Sequence, residues 1–440
     1  MALTFAGTLP RRTAPTLRQL AWLVPLLPAV ATVLLLAAPV GTGDVSRSGK
    51  VTPADAASAV LVLTCAVRLV RARRRVLSPA AAIVLGAPVA GFALSAATSL
   101  DPGAGLAGFL RYAQVFVAVP AAVVLLLRDR RDFAVIAGSI VALALVQGTV
   151  GVWQYATGTG ASYQGEDIRA VGTFGPSDVM GMATVVAYGL VIAVGWALGA
   201  GPVRMRLTAL GCAVALAVPL TVSFSRGTWI ATAVACAAMT VLAGWRQAVR
   251  VFGVLAASAV LLVGGVGVGS QLIGARVASI TQVTDAPDPS VTDRYTLWAA
   301  AVSMWREHPV AGVGLKRFPD ERDGRAGLGL SSGSDTAGAG QGFKREPLLS
   351  PHNMYLLALS EQGLVGCALL TGSWAALLAG ATARLRRVPS APGLAAVGLL
   401  LWTLVDFLYA DIGGPCTVLT ATLLGLTGWY ALAPANGPRP

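Results

Sequence analysis

The sequence has little charge for its length. Only 12% of its residues are Asp, Glu, Lys or Arg, whereas 55% are hydrophobic. A soluble chain would carry about twice that charged fraction. Several stretches of roughly 20 residues hold no charge at all, and each is long enough to cross the hydrocarbon core of a bilayer as a helix. The composition therefore excludes a soluble globular protein and predicts an all-α polytopic membrane protein.

Cysteine patterns that would indicate cross-links or zinc are also missing. The chain has five cysteines, each within an apolar segment and none in a C-x-x-C spacing. Isolated cysteines in apolar segments are typical of small core residues. The sequence thus predicts neither a disulfide framework nor a zinc site.

Twelve apolar segments are present, and we interpret each as a transmembrane helix. They lie at roughly 19–40, 54–70, 79–98, 105–127, 133–155, 178–199, 207–224, 227–244, 251–269, 353–381, 391–409 and 414–434.

Basic residues fix the orientation of these spans. Clusters follow every second span, whereas the short loops between them on the other side hold few basic residues; the clusters are RARRR (71–75), RDRR (128–131), VRMR (203–206), WRQAVR (245–250) and RLRR (384–387). By the positive-inside rule the clusters are cytoplasmic, and so are both termini. The net charge of +13 is therefore a topology signal rather than a nucleic-acid-binding surface.

One external loop, residues 270–350, is much longer than the others. Its first half contains TDRYTLWAAAVSMWREHP, in which apolar residues recur at helical spacing before Pro309. This pattern predicts an amphipathic helix at the outer membrane surface. The Gly/Ser-rich second half, 323–342, is expected to be mobile. We divide the chain into transmembrane helices 1–9 (1–269), an extracytoplasmic subdomain (270–350) and transmembrane helices 10–12 (351–440).

Charged residues near bilayer depth are costly and are candidates for function. They are Arg111, Arg169, Asp178, Arg226, Glu361, Asp406 and Asp411. Arg226 lies between Ser225 and Gly227 in a turn so short that its guanidinium stays at the outer boundary, where it could bind a ligand or simply reach lipid headgroups. Arg169 precedes an irregular Gly/Pro segment that is expected to line a cavity or be buried in protein. A structural ion pair with Asp178 is the alternative there.

His352, one of only two histidines, opens the tenth span just outside the bilayer. A neutral imidazole there can accept a proton from a hydroxyl, or the side chain can simply cap the helix. On a continuous helix His352 and Gly363 would share a face about 16 Å apart along the axis. Gly363 would then leave a gap below the histidine for a neighbouring helix or a lipid tail. Glu361 would face the opposite way, so we do not pair it with His352.

Three stretches together carry a family resemblance: RAVGTFGPSD, SFSRGTWIA, and the block DRYTLWAAAVSMWREHPVAGVGLKRF followed by SPHNMYLLALSEQGLVG. In this order they resemble the O-antigen ligase and O-antigen polymerase superfamily, which is related to protein O-oligosaccharyltransferases. The resemblance covers roughly residues 130–380, and a layout of about twelve spans with a late external loop agrees with it. Two details depart from the family pattern. RYTL is one residue shorter than R-x3-L, and Asp178 stands where the family usually has Asn.

The resemblance implies a glycosyltransferase of the GT-C type in the bacterial cytoplasmic (inner) membrane. It would take a glycan from an undecaprenyl pyrophosphate carrier at the outer face and join it to an acceptor hydroxyl on lipid, sugar or protein. By motif match, His352 would be the general base. The pyrophosphate would be held by Arg226, Arg169 and Arg294, with Gly363, Asn353 and Ser225 in supporting positions.

Many sugar transferases hold a metal through D-x-D, and no external segment has that motif. We therefore expect metal-independent transfer with no cofactor, and inversion at the anomeric carbon. Two alternatives remain open from the sequence. A transporter or flippase of lipid-linked glycans would place charges through mid-membrane and repeat its halves. A peptidoglycan-type glycosyltransferase would act through a carboxylate among the nine acids of 270–350.

Overall fold

The structure is a computed structural model. It describes residues 21–38, 52–72, 77–163, 169–175, 178, 180–250, 289–326, 334–338, 344–346, 348–414 and 416–432.

Apolar helices dominate the described ranges. Eight are long and apolar enough to cross a membrane: α2 (Pro53–Ala72), α3 (Pro79–Ala97), α4 (Pro102–Leu126, with a π-helical turn at Gln114–Ala118), α5 (Arg130–Thr157), α6 (Gly181–Leu198), α7 (Val203–Thr221), α8 (Arg226–Ala243) and α11 (Met354–Arg387). Three shorter ones are α1 (Ala21–Ala37), α12 (Ala391–Asp406) and α13 (Thr417–Leu432).

These eleven helices coincide with eleven of the twelve predicted spans, which confirms a polytopic, mainly helical membrane protein. The ninth predicted span, 251–269, lies outside the described residues. The GT-C assignment and the three-part division of the chain stay predictions.

The long segment between α8 and α11 contains the predicted amphipathic helix. It is α9 (Pro289–Glu307), and a short α10 (Phe318–Arg322) follows it. Leu297, Ala300, Ala301 and Met304 are buried, and their spacing places them on one face of α9. This face packs against α11, so the apolar side of α9 is buried mainly against protein.

The Gly/Ser-rich half of this segment contains a strand that the composition did not predict. Residues Ser334–Gly338 (β2) pair antiparallel with both Ala161–Tyr163 (β1) and Lys344–Glu346 (β3). The composition predicted no regular structure in 323–342, whereas the strand β2 lies within it; the mobility of the segment stays a prediction. Composition alone missed this, because backbone pairing with a strand that follows α5 needs no apolar pattern in β2.

Helix α11 is sharply bent. Its 34 residues would extend roughly 51 Å, against about 24 Å for the 16 residues of α12. Yet the two helices meet at both ends: a short turn joins α11 to α12, and the Met354 amide donates to the carbonyls of Phe407 (2.9 Å) and Ala410 (3.0 Å) beyond α12. The bend is at Gly363, with φ 62° and ψ −168°. The first part of α11 therefore crosses the molecule at a large angle to the rest.

The loop after α9 is inserted into this bend. The Leu364 amide donates to Pro309 O (2.8 Å), and the amides of Val313 and Gly314 donate to Ser360 O (2.9 Å) and Glu361 O (3.1 Å). A Cβ at Gly363 would overlap the Val310 carbonyl. The gap expected at Gly363 thus exists, but residues 309–314 fill it. His352 and Gly363 do not share a face of one continuous helix, because α11 begins after His352 and breaks at Gly363.

Two of the charged residues noted in the sequence, Arg111 and Glu361, have partners in other helices. Arg111 Nη1 contacts Asp55 Oδ1 at 2.6 Å, which ties α4 to α2. Glu361 accepts hydrogen bonds from the Phe318 amide (3.2 Å) and the Tyr112 hydroxyl (3.3 Å). The Ser95 hydroxyl donates to the Glu361 carbonyl (2.6 Å) and so places the bend level with the carboxyl-terminal end of α3.

Candidate functional site

His352 lies in a strained turn immediately before α11. Its φ is +48°, a left-handed conformation that is uncommon for residues other than glycine. Asn353 caps the helix by accepting from the amides of Tyr355 and Leu356, both at 3.0 Å. The sequence left open that His352 caps the helix, but the cap is the next residue, Asn353. Strain of this kind persists only where the surroundings fix it, and it clusters at functional sites.

Neighbouring elements hold the turn from two sides. The Trp298 indole of α9 donates to Pro351 O at 2.8 Å. On the other side, the Asn353 side chain donates to Leu408 O at 3.2 Å. The segment 407–411 after α12 therefore forms one wall of the site, and α9 forms another.

Two charged side chains lie close enough to the imidazole to affect its titration. Burial lowers the pKa of His352, Arg294 lowers it further, and Asp411 opposes both. The net shift is downward from the usual 6.5, so the imidazole is neutral at pH 7 and can accept a proton.

The acidic side chains beside His352 have unused hydrogen-bonding capacity. Asp411 Oδ2 and Asp406 Oδ1 are buried, and neither has a hydrogen-bond partner among the described residues. Arg294 is near enough to Asp406 for their charges to interact. Buried polar atoms without a partner are uncommon and call for one. A bound hydroxyl-rich ligand would supply it.

Arg226 is the first residue of α8, and its side chain is exposed. The preceding Ser225 is buried, with its hydroxyl 2.7 Å from the Thr228 hydroxyl. No hydrogen bond or ion pair from the described residues occupies Arg226. Gly227 lies against Tyr409, since a Cβ there would be 3.4 Å from the Tyr409 Cβ. Arg226 is thus next to the same 407–411 wall that holds the His352 turn.

Arg169 is half-buried and pairs with β1. Its amide donates to Ala161 O (2.7 Å), and its carbonyl accepts from the Ala161 amide (3.0 Å). The following Ala170 amide donates to Val222 O (3.2 Å), which connects this segment to the turn before Arg226. Residues 170–172 are buried, as the sequence predicts for an irregular segment enclosed by protein.

Two glutamines of α5 explain how this irregular segment is tolerated. Gln154 Oε1 accepts from the amides of Val171 (3.1 Å) and Gly172 (2.8 Å), and Gln147 Oε1 accepts from the Thr173 amide (2.9 Å). The glutamines are seven residues apart, which places them on one face of α5. Backbone groups away from water must be satisfied within the protein, and these side chains do so.

Asp178 connects the irregular segment to the end of the 407–414 stretch. It accepts hydrogen bonds from the amides of Gly181 and Met180, yet burial raises its pKa to about 6. Its Oδ2 would be 2.6 Å from a Cβ at Gly414 and 2.7 Å from one at Gly181. Glycine is therefore needed at both positions to admit the carboxyl group.

The 407–414 stretch thus contacts three parts of the candidate site: Leu408 accepts from Asn353 beside His352, Tyr409 lies against Gly227 beside Arg226, and Gly414 lies against Asp178. In the described part of the chain, no group of three His, Cys, Asp or Glu side chains could hold a metal ion. Sequence reasoning noted Asp406 and Asp411 as charges near bilayer depth but gave them no role. Their position directly after an apolar span was the available signal.

The fold and the site define a multi-pass membrane protein with a neutral histidine and arginines at one boundary of the membrane. Residues 211–371 match the family model described as O-antigen ligase. Over these 161 of its 440 residues the chain carries an O-antigen ligase domain, which is the domain of glycosyltransferases that use lipid-linked sugar donors. No curated protein is significantly similar to this chain. The matched residues include Ser225, Arg226, Arg294, His352, Asn353 and Gly363, whereas Arg169 precedes them.

Proposed function

We propose that this enzyme transfers a glycan from undecaprenyl pyrophosphate to an acceptor hydroxyl at the outer face of the bacterial cytoplasmic membrane. It would act as a polysaccharide ligase or polymerase, with both termini in the cytoplasm. The observation that supports this proposal most strongly is the setting of His352. Its imidazole is half-buried, has a lowered pKa, and is held in a strained turn between α9 and the 407–411 wall.

In the proposed step the imidazole of His352 removes the proton from the acceptor hydroxyl. The hydroxyl oxygen attacks the anomeric carbon, and the bond from that carbon to the phosphate oxygen breaks. The lipid pyrophosphate leaves with the bonding electrons. One displacement of this kind inverts the anomeric configuration, and a positioned general base contributes about 10²–10⁴-fold in rate.

Negative charge grows on the leaving pyrophosphate, and the arginines are suited to stabilise it. A guanidinium forms charge-assisted, bidentate bonds to phosphate oxygens. Arg226 is exposed and has no partner among the described residues, so it can bind a ligand without breaking an existing contact. We assign pyrophosphate binding to Arg226, Arg294 and Arg169, in that order of support from the geometry. Ser225, Asn353 and Gly363 act as supporting residues that shape the backbone around these groups.

The unpartnered oxygens of Asp406 and Asp411 fit the acceptor side of the reaction. Sugar hydroxyls are donors, and a buried carboxylate oxygen gains most from such a donor. The acceptor in this proposal is a saccharide hydroxyl or a hydroxyl carried by lipid or protein. The family match favours an enzyme over the transporter that the sequence left open.

A deletion strain and the purified enzyme test the proposal together. Cells that lack this chain should accumulate a lipid-linked glycan, and the wild-type gene should clear it. The purified enzyme should transfer that glycan in EDTA, because arginines stabilise the leaving group and the external segments lack D-x-D. An unchanged lipid pool would reject the proposed activity. Activity that EDTA removes and Mg²⁺ or Mn²⁺ restores would reject the metal-free mechanism.

A further inference from the structure

Two aromatic side chains, Tyr155 and Phe224, form a partly exposed pair beside Arg226. Tyr155 is near the end of α5, and Phe224 is in the turn between α7 and α8. Their ring centroids are 5.9 Å apart, at an interplanar angle of 47°. Tyr155 is 45% exposed and Phe224 is half-buried, so this aromatic pair presents part of its surface outside the protein.

The backbone holds Phe224 in an unusual conformation. Its φ is +52°, in the left-handed region that few residues other than glycine adopt. Hydrogen bonds fix the turn, because the Phe224 amide donates to Thr221 O at 3.2 Å and the Ser225 hydroxyl lies 2.7 Å from that of Thr228. An aromatic residue that only anchors a protein at the membrane interface needs no such conformation. Strained residues cluster at functional sites, which makes this ring a candidate for ligand contact.

Three segments meet at the aromatic pair. The side chain that precedes the tyrosine, Gln154, accepts from the Gly172 amide at 2.8 Å. The Ala170 amide donates to Val222 O at 3.2 Å. The end of α5 and the turn before α8 are therefore both bonded to the segment that follows Arg169.

The pair consequently lies among the segments that carry two arginines assigned to the pyrophosphate, Arg169 and Arg226. In a lipid-linked donor the first sugar is bonded directly to the pyrophosphate, so it must lie close to the groups that bind the phosphates. The C–H groups of a sugar ring carry partial positive charge, whereas the face of an aromatic ring is negative. An aromatic surface at this place therefore suits the apolar face of a pyranose.

We propose that the rings of Tyr155 and Phe224 bind the sugar that is bonded to the pyrophosphate of the donor. The inference rests on the proposed function and adds the place of the donor saccharide. The sugar belongs to the donor rather than the acceptor because Phe224 shares its turn with Arg226. The carboxylates assigned to the acceptor, in contrast, lie at the end of α12 and beyond it. The pair thus favours donors whose first sugar has an apolar ring face.

The test removes the aromatic faces and keeps the side chains apolar. Phe224→Leu and Tyr155→Leu are compared with Tyr155→Phe, which keeps the ring and loses only the hydroxyl. Trp153→Leu is the matched control: Trp153 is 60% exposed on the same helix, and two residues of helix turn it away from Tyr155. Each variant is assayed for transfer, for inhibition by a polyprenyl pyrophosphate that carries no sugar, and for its Tm.

We expect each leucine variant of the pair to raise the KM of the donor about five- to tenfold, as when one aromatic contact is lost. The inhibition constant of the sugar-free pyrophosphate and the KM of the acceptor should not change. Tyr155→Phe and Trp153→Leu should behave as wild type. If Phe224→Leu lowers the Tm, the exposed Tyr155 decides the result.

Three results would overturn the proposal. An inhibition constant that rises as much as the donor KM would show that the rings only position Arg226. An effect of Trp153→Leu as large as that of Tyr155→Leu would assign the aromatic residues to membrane anchoring. A donor KM that stays at the wild-type value in both leucine variants, with or without a raised acceptor KM, would exclude contact with the donor sugar. A wild-type enzyme that transfers nothing would instead reject the proposed function, and the role of the pair with it.

Discussion

Individual residues of the candidate site divide into those whose polar atoms bind backbone groups and those with unused hydrogen-bonding capacity. The side chains of Asn353, Gln147 and Gln154 accept hydrogen bonds from backbone amides. Arg226 contacts no partner among the described residues, and Asp406 and Asp411 each retain a buried oxygen without one. Free polar capacity is costly in a folded protein. We therefore propose Arg226, Asp406 and Asp411 as residues that contact substrate.

Arg226→Lys tests the role of the guanidinium. Lysine keeps the charge but loses the planar fork that binds two phosphate oxygens at once. We expect kcat/KM for the lipid-linked donor to fall about 10–100-fold, as when one or two charge-assisted hydrogen bonds are lost. The protein should still insert and be recovered in normal amounts.

Arg204→Lys is the control for that substitution, because Arg204 is exposed on α7 in a basic cluster predicted to be cytoplasmic. Transfer by this variant should equal the wild-type rate. If Arg226→Lys also retains that rate, Arg226 only anchors the helix to headgroups.

Secondary-structure elements were largely predictable, whereas their distortions were not. Apolar run length predicted eleven of the described helices, since a span needs a minimum length of uncharged residues. It could not predict the break in α11, because a glycine within an apolar run is compatible with a straight helix. The break depends on residues 309–314, which approach from about fifty residues earlier in the chain. The pairing of β2 with β1 was hidden for the same reason.

Gly363→Ala tests the bend. Its φ of +62° and the adjacent Val310 carbonyl leave no room for a methyl group, so the loop 309–314 should be displaced. We expect the apparent Tm to fall by several degrees or more and transfer to be lost.

Gly372→Ala is the control in the same helix, where a Cβ would meet no atom of the described residues within 4 Å. Alanine should be neutral or stabilise by up to about 1 kcal/mol there. Equal stability of the two variants in a thermal unfolding assay would show that α11 does not need the break.

For the whole molecule, the sequence predicted the boundary at which chemistry would occur and the main candidate residues. His352, Arg226 and Arg294 came from motifs, and the structure connects each of them to the 407–411 wall or to α9. What the sequence did not predict is that wall itself. Its contacts with His352 and Arg226 join residues that are far apart in the chain, and no local pattern encodes them. The GT-C assignment, the orientation and the roles of the site residues stay predictions.

The orientation can be tested with introduced cysteines. His308 is exposed after α9, and Pro202 is exposed between α6 and α7. The basic clusters predict that His308 is outside and Pro202 inside. His308→Cys should react with a membrane-impermeant maleimide in intact cells, and Pro202→Cys should react only after permeabilisation. The reverse pattern would place the candidate site on the cytoplasmic side.

The most direct measurement is transfer by His352→Gln compared with His352→Ala and wild type, over a range of pH. Glutamine can replace a hydrogen bond but cannot take a proton at neutral pH. We predict that both variants lose about 10²–10⁴-fold in kcat while they still bind the lipid-linked donor. The wild-type rate should be level near pH 7 and fall as the pH drops through a pKa below 6.5, because burial and Arg294 favour the neutral imidazole and protonation removes the base. Activity restored by glutamine would contradict His352 as the general base, and so would a wild-type rate that stays level at every acidic pH at which the enzyme remains folded.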